Sequence, residues 1–266
     1  MADLPIDLRA DLAEQLADVL DVEGKIPHAL DALGQLAGSE VVLLDAASGL
    51  RARQLRALGA RLTVLEQPAR LGALRAALDD LAAVPGRRAA PLTVAPGQAE
   101  ATGLPDASAD AIVACWSAFH GPAPAALAEA ERVLRPGGRL LVVHDYGRDD
   151  VEALRPDVQA ERLAWSRRDG PFLAAGFKIR VLHCWWTFAS LEEAAAFLGA
   201  AFGAVGEEVA ARLRRPRLSY NVAVYHRRQP LLEDEVTTAP PGTAASATRS
   251  GPVASARSRQ ASAVAS

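Results

Sequence analysis

Between residues 41 and 144 the chain alternates short apolar runs with helical stretches, and this rhythm limits the fold more than any other feature. The runs are 41–45, 62–66, 92–95, 110–115 and 139–144. The first, 41–45, is a short continuous apolar run, as a strand covered on both faces should be, and 92–95 is the weakest of them. Between them, residues 51–58 suit a helix with Gly59 at its C-terminal cap. Residues 68–83 place Leu71, Leu74, Leu78 and Leu81 on one helical face before Pro85-Gly86 breaks the pattern. Residues 124–134 form a further helix, stopped by Pro136-Gly137-Gly138, which turns the chain into the next strand. Strands alternating with helices imply βαβ units, a parallel sheet and right-handed crossovers.

The flanks read differently. In residues 1–38, Leu8, Leu12, Leu16, Val19 and Leu20 recur at helical spacing. Ile26, Leu30, Leu33 and Leu36 repeat the pattern, with Pro27 suited to a first turn and Gly38 to a stop. Beyond residue 147 the spacing predicts a helical stretch near 150–165, a strand over 177–186, one long helix over 191–213 and a last strand over 218–225. From about Pro230 the composition collapses into Ala, Ser, Thr, Pro and Gly, which cannot bury enough apolar surface to offset its ordering entropy. The chain is thus expected to divide into a helical cap (1–38), an α/β domain (39–228) and a disordered tail (229–266).

Charge and cysteine content exclude several functions. The net charge of −3 offers no electrostatic footprint for nucleic acid. The basic run Arg212-Leu-Arg-Arg-Pro-Arg217 reads as a solvated helix end, where cations complement the dipole. Two cysteines, Cys115 and Cys184, make neither a disulfide framework nor a zinc site. The first residues are acidic and lack the apolar stretch of a signal peptide. No apolar run approaches the roughly 20 residues that span a bilayer. A cytoplasmic protein with no metal and no membrane partner is expected; oligomeric state is left open.

Two segments carry a family resemblance. One is Gln98-Ala-Glu-Ala-Thr-Gly-Leu-Pro-Asp-Ala-Ser-Ala-Asp-Ala-Ile-Val113. The other is Glu131-Arg-Val-Leu-Arg-Pro-Gly-Gly-Arg-Leu-Leu-Val-Val143. At this separation they resemble the middle of a class I S-adenosylmethionine-dependent methyltransferase, near the type 11 subgroup. The resemblance covers residues 41–146. It implies a Rossmann-like, doubly wound, mostly parallel seven-stranded sheet, with the strands near 177–186 and 218–225 as an antiparallel edge hairpin beside 139–144. It also implies S-adenosylmethionine as cofactor and a small-molecule acceptor. One part departs: the family's Asp-x-Gly-x-Gly-x-Gly loop reads here Asp45-Ala-Ala-Ser-Gly-Leu-Arg51, with Ala47, Gly49 and Arg51 at the glycine positions.

In an open parallel sheet the ligand lies at the carboxyl ends of the strands. Those ends carry Asp45, Glu66, Gln98 with Ala99, Trp116 with Ser117, and His144-Asp145-Tyr146. Glu66 lies 17 residues beyond Gly49, and an acidic group there can accept bonds from both ribose hydroxyls. Gln98 stands where the resemblance implies an Asp that bonds the adenine amine. Arg51 puts a long cation beside the expected methionyl carboxylate, to attract it or to obstruct the pocket. Arg51 is expected to turn outward along its helix or to pair with that carboxylate. His144 and, in the loop beyond Trp116, His120 are candidate bases, with unperturbed pKa values of roughly 6.5. Two functions follow: an S-adenosylmethionine-dependent methyltransferase of a small molecule, or a non-enzymatic protein of the same fold serving as a partner subunit or regulatory binding module.

Overall fold

A computed structural model describes residues 4–79, 90–117, 119, 122–155 and 163–231. Seven strands form one sheet: β1 Glu40–Leu44, β2 Arg61–Glu66, β3 Leu92–Pro96, β4 Ala109–Cys115, β5 Leu134–Asp145, β6 Lys178–Thr187 and β7 Arg217–Arg228. Their order is β3-β2-β1-β4-β5-β7-β6. The first five run parallel, and β7 then pairs antiparallel with both β5 and β6. This is the expected Rossmann-like sheet with its edge hairpin. The strand order reverses between β1 and β4, so a crevice opens there at the carboxyl edge.

Alternation along the strands builds two cores. Val41 and Leu43, Val113 and Cys115, and Leu141 and Val143 face one side. There they meet Leu12 and Leu16 of α1 (Ala10–Val19), Ile26 and Leu30 of α2 (Lys25–Gly34), Leu55 of α3 (Leu50–Ala57) and Leu74 of α4 (Leu71–Asp79). Val42, Ile112 and Val142 face the other side, against α5 (Pro124–Val133) and the rings of Trp165, Phe172 and Phe177. Phe172 lies in α6 (Pro171–Ala174).

Two expectations need correction. Residues 191–213 are not one helix but two, α7 (Leu191–Phe202) and α8 (Ala204–Arg212). Gly203 takes a positive φ of 58° between them, and a Cβ on Gly206 would stand 1.9 Å from the Leu198 carbonyl oxygen. A glycine pair lets α8 fold back onto α7, which helical periodicity alone does not reveal. Pro136-Gly137-Gly138 does not stop the helix. Helix α5 ends at Val133, and Leu134 already pairs with Ala109, with a register shift before Arg139 meets Ala111. Gly137, at φ 81°, donates its N–H back to Gln229. The triplet is a bulge inside β5. The helical stretch near 150–165 is described only as a 3-10 turn over Val151–Leu154 and around residue 164; the rest lies outside the described residues, as do residues 80–89 and the tail from 232 onward.

Candidate active site

The ends of β1 and β2 are tied by one arginine. Glu66, fully buried, forms an ion pair through Oε1 with Arg70 Nε at 2.8 Å and accepts the Gln67 N–H at 2.9 Å. Arg70 also reaches Asp45 at 3.4 Å. Glu66 Oε2 is buried with no partner. A buried carboxylate oxygen without a donor is costly, so this atom is a natural acceptor for a ligand hydroxyl. Ser117 bonds from the end of β4 to the Leu44 carbonyl at 3.4 Å, which brings β4 to the same crevice.

Asp145, at the end of β5, organises the neighbouring side. The Trp116 indole N–H donates to Oδ1 at 3.0 Å, the Tyr220 hydroxyl donates to the same oxygen, and Arg155 holds Oδ2 at 2.9 Å. Arg155 further donates to the Pro5 carbonyl at 2.8 Å, so the N-terminal segment is clamped to this cluster. Three donors fix the ring of Trp116 at the mouth of the loop after β4. Asp45 and Trp116 both carry positive φ, 52° and 48°, which a bulky residue such as Trp116 rarely adopts. Backbone strain of this kind collects at functional clefts.

Arg51 does not turn outward. It is fully buried, and its guanidinium carbon stands 5.3 Å from the Trp116 ring centroid. Its Nη1 donates to Gln54, while Nε and Nη2 are buried without partners. Those two nitrogens form one edge of the planar fork that grips a carboxylate through two parallel bonds. Nearby, Cys184 is buried, and burial pushes its thiol well above its usual range.

The remaining expected residues spread more widely. Gly49 has φ 72° and caps the start of α3, and a Cβ there would meet Leu78 at 3.0 Å, so the loop needs glycine at this point. Ala47 is half-buried in the same loop, Ala99 is buried and Gln98 is exposed. The backbone of Gln98 closes a small turn with Ala101. His144 lies on the opposite sheet face from Asp145. It packs at 4.8 Å against Trp165, and its Nε2 meets the Phe119 carbonyl at 2.9 Å. His120 lies outside the described residues. Sequence reasoning gave no role to Arg70, Arg155 or Tyr220. Only Arg70 carried a local signal, its spacing of four residues from Glu66. The other two reach the site through the tertiary fold.

Residues 44–142 match the family model described as a methyltransferase domain. Over this segment the chain is similar to that family. The segment contains the β1 loop, Glu66, Trp116 and all but the last residues of β5. Among solved structures, one described in connection with conversion of a disulfide bond into a thioacetal group during echinomycin biosynthesis is similar. It has a TM-score of 0.52 and 15% identity, over 80% of this chain and 84% of that one. A candidate methyltransferase of an antibiotic biosynthesis pathway from Anabaena variabilis has a TM-score of 0.50 and 16% identity, over 79% of this chain and 98% of that one. At such identities the likeness is one of fold. No curated protein sequence matches the chain. Among the described residues no helix is long and apolar enough to cross a membrane.

Proposed function

We propose that the chain is an S-adenosylmethionine-dependent methyltransferase acting on a small-molecule acceptor. The observation that carries this reading is Glu66: a buried carboxylate at the end of β2 with one oxygen, Oε2, lacking any donor. A ribose hydroxyl supplies the missing donor. Arg51 fits the other end of the same molecule, since its unpartnered Nε and Nη2 match a carboxylate. The Trp116 ring already receives a cation on its face. When bound, S-adenosylmethionine would supply a methyl group on a sulfonium, the acceptor atom taking the methyl in line as S-adenosylhomocysteine leaves. The protein's part is alignment and exclusion of water. Asp145, with its three donors, holds Trp116 in place. His144, whose Nε2 meets the Phe119 carbonyl, acts as a positioning residue for that segment.

A second reading has its own support. Arg70 already neutralises Glu66, and the Arg51 guanidinium already covers Trp116. The chain's own cations thus meet two subsites of the crevice, as in a non-enzymatic descendant of the fold. Calorimetric titration with S-adenosylhomocysteine separates the two. Binding by the wild type, weakened by Glu66→Ala, supports the enzyme. No binding by the wild type, with binding restored in Arg51→Gly, supports the binding module.

A further inference from the structure

The basic run from Arg212 to Arg217 is not merely a solvated helix end. It leaves α8, turns, and enters β7 along one wall of a cavity of about 500 Å³. That volume lies within the range of small-molecule pockets. The run is braced: Phe188 donates its N–H to the Pro216 carbonyl at 2.8 Å, and Arg217 donates to Arg215 at 2.8 Å. Arg217 lies over the Trp185 ring, with its guanidinium carbon 4.2 Å from the centroid. Arg212 pairs with Glu208 on the helix. Arg214 and Arg215, both exposed, make no ion pair among the described residues.

The opposite wall carries Asp149 and Asp150, with both oxygens of Asp149 and one of Asp150 already engaged. Asp149 accepts the backbone N–H groups of Glu152 at 3.0 Å and Asn221 at 2.7 Å. Asp150 accepts the N–H and hydroxyl of Ser219 at 2.8 and 2.7 Å. Burial also pushes the Asp149 carboxyl above its ordinary range. The acids therefore build the wall, and the arginines are left to meet a ligand. The cavity follows directly from the end of β5, so it opens at the same carboxyl edge as the crevice at Asp145.

We propose that this cavity binds the anionic end of a small molecule, a phosphate ester or polycarboxylate, and that this molecule is the methyl acceptor. The word acceptor rests on the methyltransferase reading; the anion site does not. A small ligand fits better than a nucleic-acid strand, because the cavity is local and the chain as a whole carries a net charge of −3. Arg214 and Arg215 supply planar forks suited to either oxyanion, with the cations of Arg212 and Arg217 on the same cavity.

The test is titration of the full chain with pyrophosphate and, separately, with citrate, followed by calorimetry and by tryptophan fluorescence. The expected result is saturable binding to one of them that falls at least tenfold in Arg214→Gln/Arg215→Gln and weakens as salt rises. The fluorescence change should disappear in Trp185→Phe. The double variant should keep wild-type melting temperature and S-adenosylhomocysteine affinity, since neither arginine touches the crevice. No saturable binding to either probe, or binding that the double variant leaves unchanged, overturns the site. Tighter binding to a short oligonucleotide than to both probes also overturns it. Anion binding without S-adenosylhomocysteine binding keeps the site and removes only the acceptor assignment.

Discussion

Arg51 shows how one side chain can hold a crevice in balance. It is fully buried with two nitrogens lacking partners, and such groups are expensive. Arg51→Met should therefore raise the stability of the ligand-free protein by about 1 kcal/mol, a rise of roughly 2–4 °C in Tm for a chain of this size. The same variant should bind S-adenosylhomocysteine about tenfold or more weakly, while its affinity for methylthioadenosine, which lacks the carboxylate, stays unchanged. Calorimetric thermal scans and paired titrations read both effects. A drop in Tm would mean that the stacking on Trp116 outweighs the unpaired nitrogens.

Glu129 gives a second test at this scale. Hydrogen bonds from Arg132, assisted by Thr102, draw its pKa from 4.5 down to about 2. Because the folded pKa lies below the ordinary value, the stabilisation is full above pH 4.5 and is lost as pH falls toward 2. It amounts to about 2 kcal/mol once solvent screening of the partly exposed Arg132 is allowed for. Glu129→Gln should be less stable than the wild type at pH 7 by about that much and nearly equal to it at pH 2. Urea unfolding midpoints at several pH values measure the difference. Glu129 also holds Thr102 through its N–H at 2.8 Å, so the loop after β3 should loosen with it.

At the scale of elements, two junctions depend on single residues. Asp21, buried between α1 and α2, accepts the N–H groups of Lys25 at 3.0 Å and Ile26 at 2.6 Å. It also donates its own N–H to Trp185 at 3.0 Å. One residue thus caps α2 and docks the helical pair onto β6. Asp21→Ala should cost about 1–2 kcal/mol, the usual range for a lost cap. Gly206→Ala should cost more, about 2–3 kcal/mol, because the clash is with the Leu198 backbone rather than with a flexible side chain. Circular dichroism melts of the two variants should show that order, and a neutral Gly206→Ala would mean that α7 and α8 separate readily.

At the largest scale, the folded unit takes in the N-terminal helices. Helices α1 and α2 share one apolar core with the strands, including Leu16 and Ile26 against Val41 and Leu141. The segment from 232 onward lies outside the described residues, and its composition alone argues that it buries little. Deleting residues 232–266 should leave Tm and ligand affinity within error of the full chain. A fall of several degrees in a thermal scan would show that the tail docks on the domain.

The parallel sheet, its five strands and the strand-end position of Glu66 were legible in the residues alone. Continuous apolar runs separated by amphipathic helices admit few other arrangements, because each must bury both faces. Those are local properties, written in neighbouring residues. The partners at the crevice were not legible. Arg155 and Tyr220 reach Asp145 across 10 and 75 residues, and nothing near them marks that meeting. The inward turn of Arg51 was decided by tertiary packing too, since a helix presents its residues to whatever the sheet and α2 leave open. The break at Gly203, the bulge at Pro136-Gly137-Gly138 and the cavity beside Arg214 belong to the same class. Each depends on how elements approach one another, a quantity that periodicity does not encode.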